Sequence, residues 1–283
     1  MADTTSTPRN WLITGCSSGF GREIAKAALA TGDNVAATAR RPEDLAELAS
    51  LGGDHILTHR LDVTDPESIS DAISATIRRF ETIDVLVNNA GISYFSGVEE
   101  SDTDDVRRLF DINFWGLMRV TDAALPIMRA QRFGTIVNMA SIAGLNGFPS
   151  VGYYSASKFA VEGISEALAR EVELFGIRVL LVEPGGFRTD WARSSGGVRQ
   201  PIADYDSTPL RQMVAGAQDN STPQAGNPAK AAAAIVRDVH AGGPNAHLPL
   251  GAGSIAVTLA KLEALQAEYE SLRAVAEAAD DEE

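Results

Sequence analysis

The segment Trp11-Leu12-Ile13-Thr14-Gly15-Cys16-Ser17-Ser18-Gly19-Phe20-Gly21 constrains the fold of this chain more than any other. A short apolar run enters a turn containing Gly15, Gly19 and Gly21, and Ile24, Ala25, Ala28 and Leu29 then recur at helical spacing. Glycine carries no Cβ, so such a turn reverses the chain sharply and lets a ligand approach the backbone. The helix that starts there offers unpaired N–H groups and a positive dipole end, which suit a pyrophosphate. Gly15, Ser17, Ser18, Gly19, Phe20 and Gly21 are therefore the first candidate contacts of a dinucleotide. The spacing is G-x-x-x-G-x-G rather than G-x-G-x-x-G, and no Gly-Lys-Ser/Thr follows to make a P-loop.

Short apolar runs keep alternating with amphipathic stretches beyond this turn. Strands are expected over 34–39, 55–61, 84–88, 134–140 and 177–183. Helices are expected over 42–49, from Pro66 behind Asp65, over 102–130 despite Pro126, and over 151–175. Runs that are apolar on both faces, separated by helices, predict an α/β fold: one Rossmann-like domain over 1–283, a doubly wound parallel sheet with helices on both faces. The regularity fails after Gly186, so 186–227, with a short helix near Pro209 to Gln218, reads as a substrate lid, and 254–279 as a C-terminal helix.

Charge and cysteine count narrow the function. There are 24 Lys and Arg against 38 Asp and Glu, a formal net charge of −14. So acidic a body repels phosphate backbones, and no basic stripe offsets it, so no nucleic-acid partner is expected. The one cysteine, Cys16, forms no internal disulfide and reads as a small filler. No apolar run reaches the ~18 residues of a membrane span, and the expected location is cytoplasmic.

The end of the second strand selects the cofactor. It reads Ala37-Thr38-Ala39-Arg40-Arg41, with no acid before Glu43 to accept ribose hydroxyls. Arg40 and Arg41 suit a ribose 2′-phosphate, which favours NADP; as solvated loop charges they would leave NAD as the alternative. Asp62 ends the third strand, either as an acceptor for an adenine amino group or as a turn aspartate. Asn88-Asn89-Ala90-Gly91 ends the fourth strand beside the glycine turn, as a brace or a cofactor contact. Tyr154 and Lys158 share a helix face, and Ser141 closes a strand where open α/β sheets hold ligands. Asn113 sets an amide on an apolar stripe between Phe110 and Leu117, where it needs a partner.

In this order, Thr14-Gly15-x-x-x-Gly19-x-Gly21, Asp62, Asn88-Asn89-Ala90-Gly91, Asn113, Ser141, Tyr154-x-x-x-Lys158 and Pro184-Gly185 resemble the short-chain dehydrogenase/reductase family. The phrases around the glycine turn and Tyr154 look like its steroid- and retinol-dehydrogenase-like branch. The resemblance implies hydride transfer between nicotinamide and a carbonyl or secondary alcohol, with Tyr154 as general acid or base and Ser141 holding the substrate oxygen. It implies that Lys158 lowers the tyrosine pKa and anchors the nicotinamide ribose, and that Asn113 holds a water linking Lys158 to solvent. It also implies cofactor contacts at Asn89, Ala90, Gly91, Pro184, Gly185 and Thr189, and a homodimer or homotetramer formed through the helices at 102–130 and 151–175.

An apolar ketone or aldehyde is expected from the candidate walls Ile92, Tyr94, Phe95, Ile142, Leu145, Phe148, Trp191 and Tyr205. His55, His59, His240 and His247 show no metal-ligand spacing, so no metal is expected. A different class, a cofactor-binding redox sensor or scaffold, would fit a chain lacking part of the Ser141–Tyr154–Lys158 set; here the set is complete.

Overall fold

In the computed structural model, which describes residues 7–189, 196–197, 201–218 and 224–280, strand and helix alternate from the first element onward. Strand β1 (Asn10–Ile13) passes through the glycine turn into helix α1 (Gly19–Ala30). Strand β2 (Asn34–Ala39), helix α2 (Ala46–Gly52), strand β3 (Ile56–Arg60), helix α3 (Pro66–Phe80) and strand β4 (Val85–Asn88) follow. The start of α3 is fixed locally: the Asp65 carboxylate accepts from the N–H groups of Glu67 and Ser68, and Pro66 takes the first position, where a missing N–H does no harm.

After strand β5 (Tyr94–Phe95) come helix α4 (Thr103–Phe110), helix α5 (Leu117–Gln131), strand β6 (Gly134–Met139), helix α6 (Gly152–Val172) and strand β7 (Ile177–Pro184). Strand β8 (Gly196–Gly197), helix α7 (Pro209–Gln218), helix α8 (Pro228–Ala241), strand β9 (His247–Leu250), helix α9 (Ala252–Ser271) and helix α10 (Arg273–Glu277) complete the described elements.

Seven strands form one parallel sheet in the order β3-β2-β1-β4-β6-β7-β9. Alternate residues of each strand feed opposite faces. Trp11 and Ile13 join Ile24, Ala28, Ile235 and Val239 in one core layer, under α1 and α8. Leu12 joins Ile69, Leu86, Val120, Ile136 and Leu168 in the other, under α3, α5 and α6. With both faces covered, the central strands β1, β4 and β6 are buried along their whole length, whereas the edge strand β3 is only partly buried and ends on exposed Arg60. The chain crosses from β3 at one edge to β4 beside β1, so a crevice opens outside the carboxyl ends of β1 and β4.

Two expectations need correction. The helix expected over 102–130 is three pieces: α4, a π-helical turn at Asp111–Gly116, and α5. The π-turn inserts an extra residue, and Asn113 lies within it and is buried. Such bulges shift side-chain register without breaking the helix, so the apolar spacing conceals them. The C-terminal helix starts at Ala252 and breaks at Leu272 into α9 and α10. The two-residue pairing of β5 with β8 was too short to leave any periodic signal. Within 186–227, α7 spans the expected positions and is tied down by Arg211, which bonds the fully buried Glu100 carboxylate at 2.6 Å. Among the described residues no helix is long and apolar enough to cross a membrane.

Candidate active site

The glycine turn is held open by its neighbours. Gly15 adopts φ +72°, in the left-handed region that favours glycine. The Thr14 hydroxyl accepts from the N–H groups of Asn89 and Ala90 at 2.9 and 3.0 Å. The Asn89 amide donates to the carbonyls of Thr14 and Gly15 at 2.8 and 3.0 Å. Asn89 is thus a brace that fixes the turn from below. Gly21 packs against the same brace: a Cβ there would sit 2.4 Å from the Gly15 carbonyl oxygen and 2.5 Å from Asn89 Nδ2. Gly21→Ala must therefore push the turn outward. Nucleotide affinity is expected to fall at least ~10-fold, given an overpacking cost of roughly 1–3 kcal/mol. Fluorescence titration checks this; unchanged affinity would mean that the turn does not carry the nucleotide.

Above the turn lies a cavity of about 890 Å³ at the carboxyl ends of the strands. It is lined by Gly15, Ser17, Ser18, Gly19, Phe20, Arg40, Asp62, Asn89, Ala90 and Gly91 on the side of β1 to β4. Asn113, Ser141, Tyr154, Lys158, Pro184, Gly185 and Thr189 line the rest. Of the residues expected in the site, Gly21 lies behind the turn and Arg41 lies outside. Arg41 turns away to Asp44, with guanidinium–carboxylate distances of 2.9, 3.0 and 3.2 Å, because the short 3₁₀ turn at Pro42–Leu45 presents that acid three residues on. Pairing Arg41 with a 2′-phosphate is therefore corrected; Arg40 alone faces the cavity. Asp62 is a turn aspartate through Oδ1, which accepts from Thr64 N and Oγ1 at 3.0 and 2.8 Å, and it still lines the cavity.

Of the expected substrate walls, Ile92 and Phe95 line the cavity, whereas Tyr94, Ile142, Leu145, Phe148 and Tyr205 do not, and Trp191 falls outside the described residues. Tyr94 accepts from the Asp102 N–H at 2.9 Å, and Tyr205 donates to Glu99 at 2.8 Å. Sequence reading missed Arg108 and Asp111 near the π-turn, and Phe187, Met213 and Gln224 beyond β7. None belongs to a motif, and only the winding of the chain places them there. Phe187 meets Phe20 edge-on, with ring centroids 5.1 Å apart.

Ser141, Tyr154 and Lys158 converge where β6 ends and α6 begins. Ser141 Oγ accepts from the Ala143 N–H at 3.1 Å, which fixes its rotamer, and it hydrogen-bonds Tyr154. Lys158 Nζ donates to the Met139 carbonyl at 2.6 Å and stands 5.8 Å from the Tyr154 ring centroid. Burial pushes the Tyr154 hydroxyl up to about 12, against the opposing hydrogen bond from Ser141. Burial draws Lys158 down to about 8, with the Glu162 carboxyl pulling the other way. In the cofactor-free chain desolvation therefore sets the tyrosine high, with Ser141 as the opposing influence. Tyr154 is a fully protonated acid at neutral pH.

Asn113 lines the cavity with its side chain already engaged. Its Oδ1 accepts from Ile92 N at 2.8 Å and its Nδ2 donates to Ile92 O at 2.9 Å. The side-chain amide thus braces the turn after Gly91. Cys16 is fully buried, its thiol pushed up to about 12 by desolvation, so it is inert packing. One turn beyond Lys158, Glu162 is buried and pushed up to about 8, chiefly by desolvation and then by the Glu183 carboxyl.

Comparison with known proteins bears on this arrangement. A family model described as short chain dehydrogenase matches residues 9–198. The oxidoreductase BOA17 of Botryotinia fuckeliana is 43% identical over 199 residues, 70% of this chain and 73% of that protein. A 3-ketodihydrosphingosine reductase of Bacteroides thetaiotaomicron is 39% identical over 208 residues, 73% of this chain and 75% of that protein. The crystal structure of a short-chain dehydrogenase from Streptomyces avermitilis superposes with a TM-score of 0.88 at 37% identity, covering 97% of this chain and 100% of that one. A Burkholderia phymatum short chain dehydrogenase/reductase in complex with NAD shares the fold, with a TM-score of 0.80 at 24% identity over 92% of this chain and 95% of that one.

Proposed function

The chain belongs to the short-chain dehydrogenase/reductase family and is a nicotinamide-dependent oxidoreductase; within that chemistry, we propose that it reduces an apolar ketone or aldehyde with NADPH, or runs the reverse oxidation. The observation that carries this reading is the convergence of Ser141, Tyr154 and Lys158 on the cavity that the glycine turn floors. Bound there, the cofactor supplies or accepts the hydride. Ser141 donates a hydrogen bond to the substrate oxygen and holds it beside Tyr154. Tyr154 gives its proton to that oxygen as negative charge develops, and takes it back in oxidation. The Lys158 ammonium stabilises the tyrosinate left behind and donates to the nicotinamide ribose.

Thr189, Pro184 and Gly185 line the cavity and would hold the carboxamide end of the cofactor. Substrate enters against Ile92 and Phe95, with α7 closing the cavity through Met213. The 3-ketodihydrosphingosine reductase among the relatives is, by its name, active on a ketone, which supports an apolar carbonyl substrate. Exposed Trp115 and Phe159, beside α5 and on α6, support self-association of the chain.

Preference for NADP rests on Arg40. It follows β2 directly, lines the cavity, and no carboxylate precedes it on that strand. A charge-assisted bond to the 2′-phosphate contributes roughly 1.5–3 kcal/mol, or about 10- to 150-fold in affinity. The expected result is at least ~10-fold higher kcat/KM with NADPH than with NADH, a loss of that margin in Arg40→Ala, and its retention in Arg41→Ala. The measurement is cofactor oxidation at fixed ionic strength with a panel of hydrophobic ketones and aldehydes. Equal use of both cofactors by the wild type would remove Arg40 from the role. Cofactor binding without turnover of any carbonyl would favour a sensor or scaffold instead.

A further inference from the structure

Next to α6, among residues that do not themselves line the cavity, three side chains from three elements converge. Glu162 on α6, Glu183 on β7 and His247 on β9 each bring one donor atom within 4.8 Å of the other two. Glu183 Oε1 stands 2.5 Å from His247 Nδ1. Glu162 is 3% exposed, and neither of its carboxyl oxygens has a hydrogen-bond partner among the described residues. Glu183 is 4% exposed. A buried carboxyl with both oxygens unpaired is costly, and a second buried carboxyl close by compounds the cost. Nothing in the hydride-transfer mechanism uses Glu162, Glu183 or His247.

We propose that Glu162, Glu183 and His247 bind one divalent transition-metal cation, with Zn²⁺ the best match. One imidazole nitrogen and two carboxylate oxygens form a donor set that suits Zn²⁺, whereas Ca²⁺ and Mg²⁺ favour oxygen alone. A tetrahedral shell with bonds of ~2 Å places its donors ~3.3 Å apart, so the Glu183–His247 pair, 2.5 Å apart, opens and Glu162 closes in, both by small side-chain rotations. The His247 side chain is 43% exposed, which gives the cation a way in and leaves a coordination position for water. The cation neutralises both carboxylates and gives the orphaned Glu162 oxygens a partner. It also clamps α6, the helix that carries Tyr154 and Lys158, to the sheet edge at β7 and β9. The histidine spacing in the sequence predicts no metal because the two other ligands come from distant segments.

The test is isothermal titration of chelator-treated protein with ZnCl₂, alongside thermal denaturation with and without the cation. The expected result is one saturable site per chain with micromolar or tighter affinity, together with a rise in the melting midpoint. His247→Ala should weaken binding at least ~10-fold and abolish the thermal shift, as should the isosteric Glu162→Gln. His247 lies at the surface, so its variant keeps the test intact if Glu162→Gln folds poorly. Absence of saturable binding up to about 1 mM would overturn the site and leave a shared proton or a trapped water as the partner of Glu162. Zn²⁺ binding unaffected by His247→Ala would place the cation elsewhere and overturn it equally. Neither outcome depends on oxidoreductase activity.

Discussion

Tyr154→Phe is expected to lower turnover by about 10²–10⁴-fold, the range of a positioned general acid, while cofactor affinity barely changes. Only the hydroxyl is lost, and that hydroxyl is bonded to Ser141. The ring stays in its buried cluster with Tyr94, Leu109 and Ala143, so the variant should fold normally. Steady-state kinetics and cofactor titration on the same preparation check both halves. A variant that keeps more than half of the wild-type turnover, with chemistry rate-limiting, removes Tyr154 from the acid role. A parallel loss of cofactor affinity would instead indicate a collapsed site.

Lys158→Met is expected to damage both chemistry and binding, with kcat/KM down by at least ~10²-fold as the field on Tyr154 and a ribose donor vanish together. It also has a pH signature. Lys158 titrates near 8 in the cofactor-free chain, lowered by burial. Its charge is therefore present below that value and lost as pH rises through it, so wild-type reduction should decline on the alkaline side. Methionine carries no charge at any pH, and the variant's profile should lack that limb. An unchanged profile together with unchanged cofactor affinity would rule out the assignment.

How much of this was legible in the sequence follows from range. The glycine turn, the parallel sheet and the Tyr154–Lys158 face are local patterns: a strand, a turn and a helix each write their period into a few consecutive residues. Helix α7 was legible for the same reason, since Pro209 opens it inside an otherwise irregular stretch. The π-turn was hidden because helical spacing continues on both sides of it, and a single register shift between two helical runs leaves no local signal of its own. Arg41 could not be separated from Arg40, because its commitment to Asp44 depends on how the 3₁₀ turn after β2 curls.

The high pKa of Tyr154 in the cofactor-free chain was not legible for a related reason. Helical spacing shows that Lys158 shares its face, but desolvation is a property of everything packed around the pair, from Ser141 to Met139. The cluster of Glu162, Glu183 and His247 was out of reach altogether, since it exists only where α6, β7 and β9 meet.

The central claim, that this cavity moves a hydride under proton control by Tyr154, is tested most directly by isotope transfer. NADPH deuterated at the transferable position of its nicotinamide C4 is incubated with the wild type and a reducible hydrophobic ketone, and the alcohol is analysed by mass spectrometry. The account predicts one deuterium on the carbinol carbon, none acquired from solvent there, and a rate that collapses in Tyr154→Phe. Carbinol hydrogen drawn from solvent, or undiminished deuterium transfer in Tyr154→Phe, would contradict it.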